Sequence, residues 1–132
     1  MIDDDARCPC GTGETYGACC GRFHTGRSAA PTAELLMRSR FSAFAAGDAA
    51  YLLSTWHPRT RPEHLELDPS LRWYRLDVHG TAAGGPFDRE GHVDFTARWR
   101  SGPGTAGRGE QRENSRFLRE DGRWYYVDGV MG

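Results

Sequence analysis

The sequence contains no lysine; all 17 of its basic residues are arginine. Isoleucine and asparagine occur once each, as Ile2 and Asn114. This looks like the codon bias of a GC-rich genome and carries no functional weight by itself. Surplus charge is also lacking, since 17 basic against 18 acidic residues leave a formal charge of −1. Affinity for polyanions needs a large positive excess, so general nucleic-acid binding is disfavoured. No apolar run approaches the roughly 20 residues that span a bilayer. The first residues, Met-Ile-Asp-Asp-Asp, are acidic where a secretory signal would be basic and then apolar. These absences predict a cytoplasmic protein with no membrane partner. There is no G-x-S-x-G, no H-E-x-x-H and no other nucleophile–base signature, which favours a protein without catalytic activity. What remains is ordinary globular material: 132 residues, 38% hydrophobic and 27% charged, enough for one core.

The cysteines are distributed very unevenly. Cys8, Cys10, Cys19 and Cys20 fall within CPCGTGETYGACC, and none follows. A disulfide framework would tie distant parts of a secreted chain together, which four crowded thiols cannot do. Two tight pairs on turns can instead close a tetrahedral site at about 2.3 Å per thiolate, and zinc is the ion that suits it. Gly11, Gly13 and Gly17 permit the turns between the pairs. A full four-sulfur shell leaves no open position, so the metal is expected to be structural. Arg7, Arg22, Arg27 and His24 lie near enough in sequence to offset its −2 charge. His24 is also a conceivable substitute ligand. The alternatives are a redox-active thiol cluster, free cysteines, or an iron–sulfur site, whose familiar spacings differ.

These residues resemble the SEC-C motif, a short zinc-binding hairpin that runs C-x-C-G-x-G, then Tyr or Phe, then C-C or C-H. The resemblance implies Cys8, Cys10, Cys19 and Cys20 as the ligands. It also implies a role in contacting partner proteins, since that is what the motif does in the translocase ATPase for which it is named. Residues 1–27 hold few apolar side chains, so the metal is expected to supply their order.

A small-residue joint, Ser28-Ala-Ala-Pro31, leads into a second segment, 31–132. Thr32 is placed to cap a helix running to Ala46, with Gly47 ending it. On a helical wheel Met37, Phe41 and Phe44 share one arc, flanked by Leu36. Arg40 falls inside that arc and Arg38 outside it. A guanidinium on the core side needs a carboxylate or carbonyl partner, unless it reaches water along the helix edge. Asp48 caps a second helix, 49–57, with Ala49, Leu52, Leu53 and Trp56 on its apolar face and His57 at the edge. The stretch 60–70 reads as a turn or short helix.

The period then changes to two. Strands are expected at 71–79, with Tyr74, Leu76 and Val78 on one face, and at 91–100, with Val93, Phe95, Ala97 and Trp99 together. Residues 80–90 and 101–110 read as loops. The last strands, 112–120 and 123–128, flank Asp121-Gly122, a type I′ hairpin signal. That turn sets Phe117 opposite Tyr126. Continued alternation then places Glu113, Ser115, Phe117, Arg119, Trp124, Tyr126 and Asp128 on one face, and Val127 on the other. The first face has the composition of a pocket wall, and Arg40 is expected to pair with Asp128 or Glu113 across it.

Helices followed by antiparallel strands mean an α+β fold, with N-terminal helices packed on a curved antiparallel sheet. From Leu36 to Gly129 the chain resembles the YchJ family of bacterial proteins, through LMRSRFSAFAAGDAAYLLSTWHP, GHVDFTARWRSG and ENSRFLREDGRWYYVDG. The resemblance implies a cone-like nuclear-transport-factor-2-like domain behind a SEC-C knuckle. Many members carry a second knuckle at the C-terminus; no cysteine follows Cys20 here. No biochemical activity comes with the resemblance. The favoured reading is a zinc-stabilised module that grips a partner protein or a ribosomal surface. The alternative is a small-molecule binder or enzyme using the cone cavity, with Arg40, His57, Glu113 and Asp128 as its candidate polar groups. A cavity lined by such groups would favour the second.

Overall fold

The computed structural model describes residues 2–101 and 107–131. Its elements are α1 (Cys20–His24), α2 (Ala33–Ala46), α3 (Ala49–Ser54), β1 (Leu71–Ala83), β2 (Glu90–Ser101), β3 (Gly107–Glu120) and β4 (Arg123–Met131). The strands form one antiparallel meander in the order β1-β2-β3-β4. The fold is α+β, as expected.

Local chemistry accounts for the helix ends. Thr32 accepts a hydrogen bond from the Leu35 amide at 3.1 Å, and Gly47 closes α2 in the left-handed conformation. Asp48 accepts from the Tyr51 amide at 3.0 Å and starts α3. That helix is shorter than the sequence suggested. Beyond Ser54 the chain leaves it and Trp56 forms a parallel bridge with Tyr126. The amide of Tyr126 donates to the Thr55 carbonyl and that of His57 to the Tyr126 carbonyl, so this edge of β4 is capped by chain, not by water. Residues 60–70 form neither helix nor strand.

β1 continues to Ala83 and β2 begins at Glu90, so the connection is shorter than expected. Of the second expected loop, 107–110 belong to β3 and 102–106 lie outside the described residues. The β3–β4 turn is as anticipated. Asp121 and Gly122 both have positive φ, 53° and 78°, as a type I′ turn requires. Phe117 stands opposite Tyr126.

Two register shifts reverse the alternation read from the sequence. One lies between Trp73 and Arg75. It leaves Trp73 facing inward against Phe41 and Phe44, while Tyr74 is exposed beneath the Arg100 guanidinium. Tyr74 therefore does not share the inner face with Leu76. The other lies in β4, where Arg116 pairs with Asp128 although Phe117 pairs with Tyr126. Val127 is the extra residue of this bulge and is buried, and Asp128 is turned outward. Both bulges bend the sheet around α2, which packs against β1, β2 and β4.

α2 is buried on two sides. Met37, Arg40 and Phe41 face the sheet, and Ser39 and Ser42, also fully buried, face the N-terminal knuckle. The knuckle cysteines, Phe23, Leu36, Met37, Phe41, Val93, Phe95 and Phe117 form one continuous apolar cluster. The joint at 28–31 thus separates two stretches of sequence that share a core.

Candidate metal centre and internal cavity

The knuckle turns back on itself through a short bridge between Arg7 and Thr15. Gly11 and Gly13 adopt φ of 86° and 89°, a region closed to most side chains, and this brings Cys10 round to Cys19. The four sulfurs lie within 4.8 Å of one another, all buried. Cys10 and Cys19 Sγ are 3.6 Å apart, and Cys19 and Cys20 Sγ 4.0 Å. A tetrahedron with bonds of about 2.3 Å has edges of about 3.8 Å, so the cluster fits a four-coordinate metal ion. No cysteine is in a disulfide. Hydrogen bonding to Cys10 and Cys8, together with burial, pushes the Cys20 thiol far up, while the same contacts hold Cys8 far down. A bound cation would remove that conflict, since it binds thiolates.

The surroundings of the sulfurs come partly from the helix behind them. Thr12 Oγ1 lies 3.2 Å from Cys19 Sγ, and Ser42 Oγ of α2 lies 3.5 Å from Cys8 Sγ. Arg38 donates from Nη1 to the Cys10 carbonyl at 2.8 Å and from Nε to Glu34 at 2.9 Å. Its position outside the apolar arc is the side the knuckle covers. His24 is not available as a ligand: Nδ1 meets the Tyr16 hydroxyl at 2.5 Å and Nε2 the Ser39 carbonyl at 2.8 Å. The imidazole is a strut between knuckle and helix.

On the opposite side of α2, the curve of the sheet leaves a cavity of about 200 Å³. Arg40 lines it and is only 5% exposed, so the inward placement read from the helical wheel is observed. The expected ion pair is not. Arg40 Nη1 donates to the Leu52 carbonyl and to Thr55 Oγ1, both at 2.7 Å. Its guanidinium carbon lies 4.6 Å from the Tyr126 ring centre and 5.1 Å from that of Trp56. Burial pulls the Arg40 pKa down to about 10, which still leaves it charged at neutral pH.

Glu113 is the second charged group on the wall. Its carboxylate accepts from Ser115 Oγ, from the Tyr126 hydroxyl at 3.1 Å and from Gln111 Nε2 at 3.3 Å. It fits only because residue 129 is glycine, since a Cβ there would collide with the carboxylate. Burial and the charge of Glu113 push the Tyr126 hydroxyl well above its ordinary pKa.

Two expected cavity residues are elsewhere. Asp128 is exposed on the outer face, bound by Arg116 Nε and Nη2 at 3.1 Å each, because the Val127 bulge reversed its direction. His57 is buried but outside the cavity, donating from Nε2 to Glu120 at 2.7 Å while Nδ1 accepts from the Arg59 amide. There it ties the segment after α3 to the hairpin. Gln111, Ser115 and Trp73 line the cavity without having been singled out for it. Ser115 was legible from its shared face with Glu113, but Trp73 depended on a bulge. Among the described residues no helix is long and apolar enough to cross a membrane.

A strongly curved antiparallel sheet folded over a helix around an inner pocket, with a four-cysteine knuckle in front, defines a nuclear-transport-factor-2-like domain joined to a SEC-C motif. Family comparison agrees in both parts. Residues 32–129 match the YchJ middle NTF2-like domain, and residues 6–22 match the SEC-C motif. The chain belongs to the YchJ family. It is 56% identical over 122 residues to a UPF0225 protein of Streptomyces coelicolor, covering 92% of this chain and 93% of that one. It is 58% identical over 127 residues to a UPF0225 protein of Corynebacterium efficiens, covering 96% and 95%. Among solved structures it resembles a SEC-C motif containing protein from Rhodopseudomonas palustris, with a TM-score of 0.80 at 33% identity, covering 94% and 97% of the two chains. A second such protein, from Psychrobacter arcticus, superimposes with a TM-score of 0.78 at 25% identity, covering 100% and 86%.

Proposed function

We propose that this protein binds a small organic molecule in the cavity between α2 and the sheet, and that the knuckle carries a structural zinc ion bracing α2 from behind. The observation that carries this reading is Arg40. A scaffold has no need of a buried guanidinium beside an internal cavity, where an apolar side chain would cost less to bury. Perturbed, buried ionisable groups in a cleft are where binding sites collect. Four sulfur donors with no oxygen among them favour zinc. The Ser115 and Tyr126 hydroxyls are engaged with Glu113 and no histidine or cysteine lines the wall among the described residues, so the reading is of a binding protein. Titration with single-ring aromatic fragments, followed by NMR, is expected to shift the side-chain resonances of Trp56, Trp73 and Tyr126. Shifts confined to the outer face of the sheet would overturn it.

A second reading, in which the knuckle contacts a partner protein or a ribosomal surface, is favoured by the turn Gly11–Thr15, which is exposed throughout. A photo-crosslinker at position 14 should then give a discrete adduct in cells. Its absence would remove that reading and leave the first intact.

A further inference from the structure

The unspent hydrogen-bonding capacity of the cavity is lopsided. Glu113 already accepts from three side chains of its own wall. Arg40 has spent only Nη1, and among the described residues neither Nη2 nor Nε donates to any protein atom. Trp56 lines the same cavity with its ring, while its indole N–H is packed away with no accessible surface. The site therefore offers donors and lacks an acceptor. A guanidinium edge that faces a largely apolar cavity is best satisfied by an acceptor placed there. Arg40 also has no carboxylate within ion-pair distance among the described residues. The rings of Trp56 and Tyr126, with centres 5.2 Å apart, lie together on one side of it.

Size and wall chemistry restrict the occupant further. A cavity of about 150 Å³ holds a benzene ring, so about 200 Å³ admits one ring and a short polar group. Phe41, Phe44, Trp73, Phe95 and Phe117 supply flat apolar contact. Glu113 would repel a second negative charge. We propose that the ligand is an aromatic monocarboxylate, its carboxylate held at the free Nε and Nη2 of Arg40, its ring against the phenylalanines. This rests on the small-molecule reading above.

The test is calorimetry on the full metal-loaded chain with four probes: benzoate, benzamide, benzylamine and toluene. Benzoate is expected to bind roughly 10- to 100-fold more tightly than benzamide, the range of a hydrogen-bonded charge pair. Arg40→Lys, which keeps the charge and loses the planar fork, should weaken benzoate roughly two- to tenfold and leave toluene unchanged. Arg40→Met should abolish the preference for benzoate over benzamide. If that variant does not fold, the probe series and Arg40→Lys decide the matter alone. Benzamide or toluene binding as well as benzoate would overturn the carboxylate class and leave the cavity reading standing. So would benzylamine binding best, which would make Glu113 the determinant. Benzoate binding that ignores both substitutions would place the anion on surface arginines and overturn the proposal. Failure of all four probes to bind would overturn the class and the cavity reading together.

Discussion

Stripping the metal with a chelator, or replacing Cys10 by serine, is expected to destabilise the entire chain, by on the order of 5 kcal/mol. From composition alone the knuckle looked separable, with a cone left standing when the ion is lost. The packing shows a shared core. Cys8, Cys10, Cys19 and Cys20 lie in one cluster with Leu36, Phe41, Val93 and Phe117. Arg38 reaches across to the Cys10 carbonyl, Ser42 to Cys8, and His24 to the Ser39 carbonyl. Losing the knuckle would expose the fully buried Ser39 and Ser42 side of α2 and the apolar side chains around it. Structural zinc contributes about 10–16 kcal/mol in isolated fingers, against a typical domain stability of about 5–15 kcal/mol. Even partial coupling therefore matters. Thermal unfolding followed at the sheet tryptophans should show one transition, lowered by on the order of 10 °C or more. An unchanged sheet transition beside a disordered residue 1–27 segment would show that α2 holds without its brace.

Two substitutions of Arg40 are expected to behave in opposite ways. Arg40→Ala should cost about 2–4 kcal/mol. It enlarges the existing cavity, removes the donor to Thr55 Oγ1, and strips Trp56 and Tyr126 of a stacked group. Arg40→Met keeps most of the volume without the desolvated charge, so its stability should equal or exceed that of the native chain. Either variant takes from the Leu52 carbonyl its 2.7 Å donor and leaves it only a share of the Thr55 hydroxyl proton, which lies 2.8 Å from the Tyr51 carbonyl and 3.3 Å from that of Leu52. Urea unfolding of the three proteins distinguishes the terms. A methionine variant as unstable as the alanine one would mean that hydrogen bonding by the guanidinium, not its volume, holds α3 to α2. A stable methionine variant would mean that the charge serves binding and not the fold.

The parts of this molecule that are local were legible in the sequence. The cysteine spacing specifies a clustered thiol site because Cys8 and Cys10, like Cys19 and Cys20, lie within two positions of each other and glycines turn the segment between the pairs. Thr32, Gly47 and Asp48 mark helix ends because caps act within three residues. Asp121-Gly122 determines a turn, and with it the pairing of Phe117 with Tyr126. Helical periodicity likewise put Arg40 and Phe41 on the inner side of α2. Tertiary structure decided the rest. A bulge is a property of two paired strands bending round a helix, so it leaves no mark in one strand's alternation. The shifts at Tyr74 and Val127 therefore moved Trp73 into the cavity and Asp128 out of it. The partner of Arg40 was likewise undetermined, because a guanidinium can donate to a carbonyl, a hydroxyl or a carboxylate oxygen and only the approach of α3 supplied the first two. The knuckle's seat on α2 also arises only in the folded chain, since small polar residues such as Ser39 and Ser42 look solvent-facing until another element covers them.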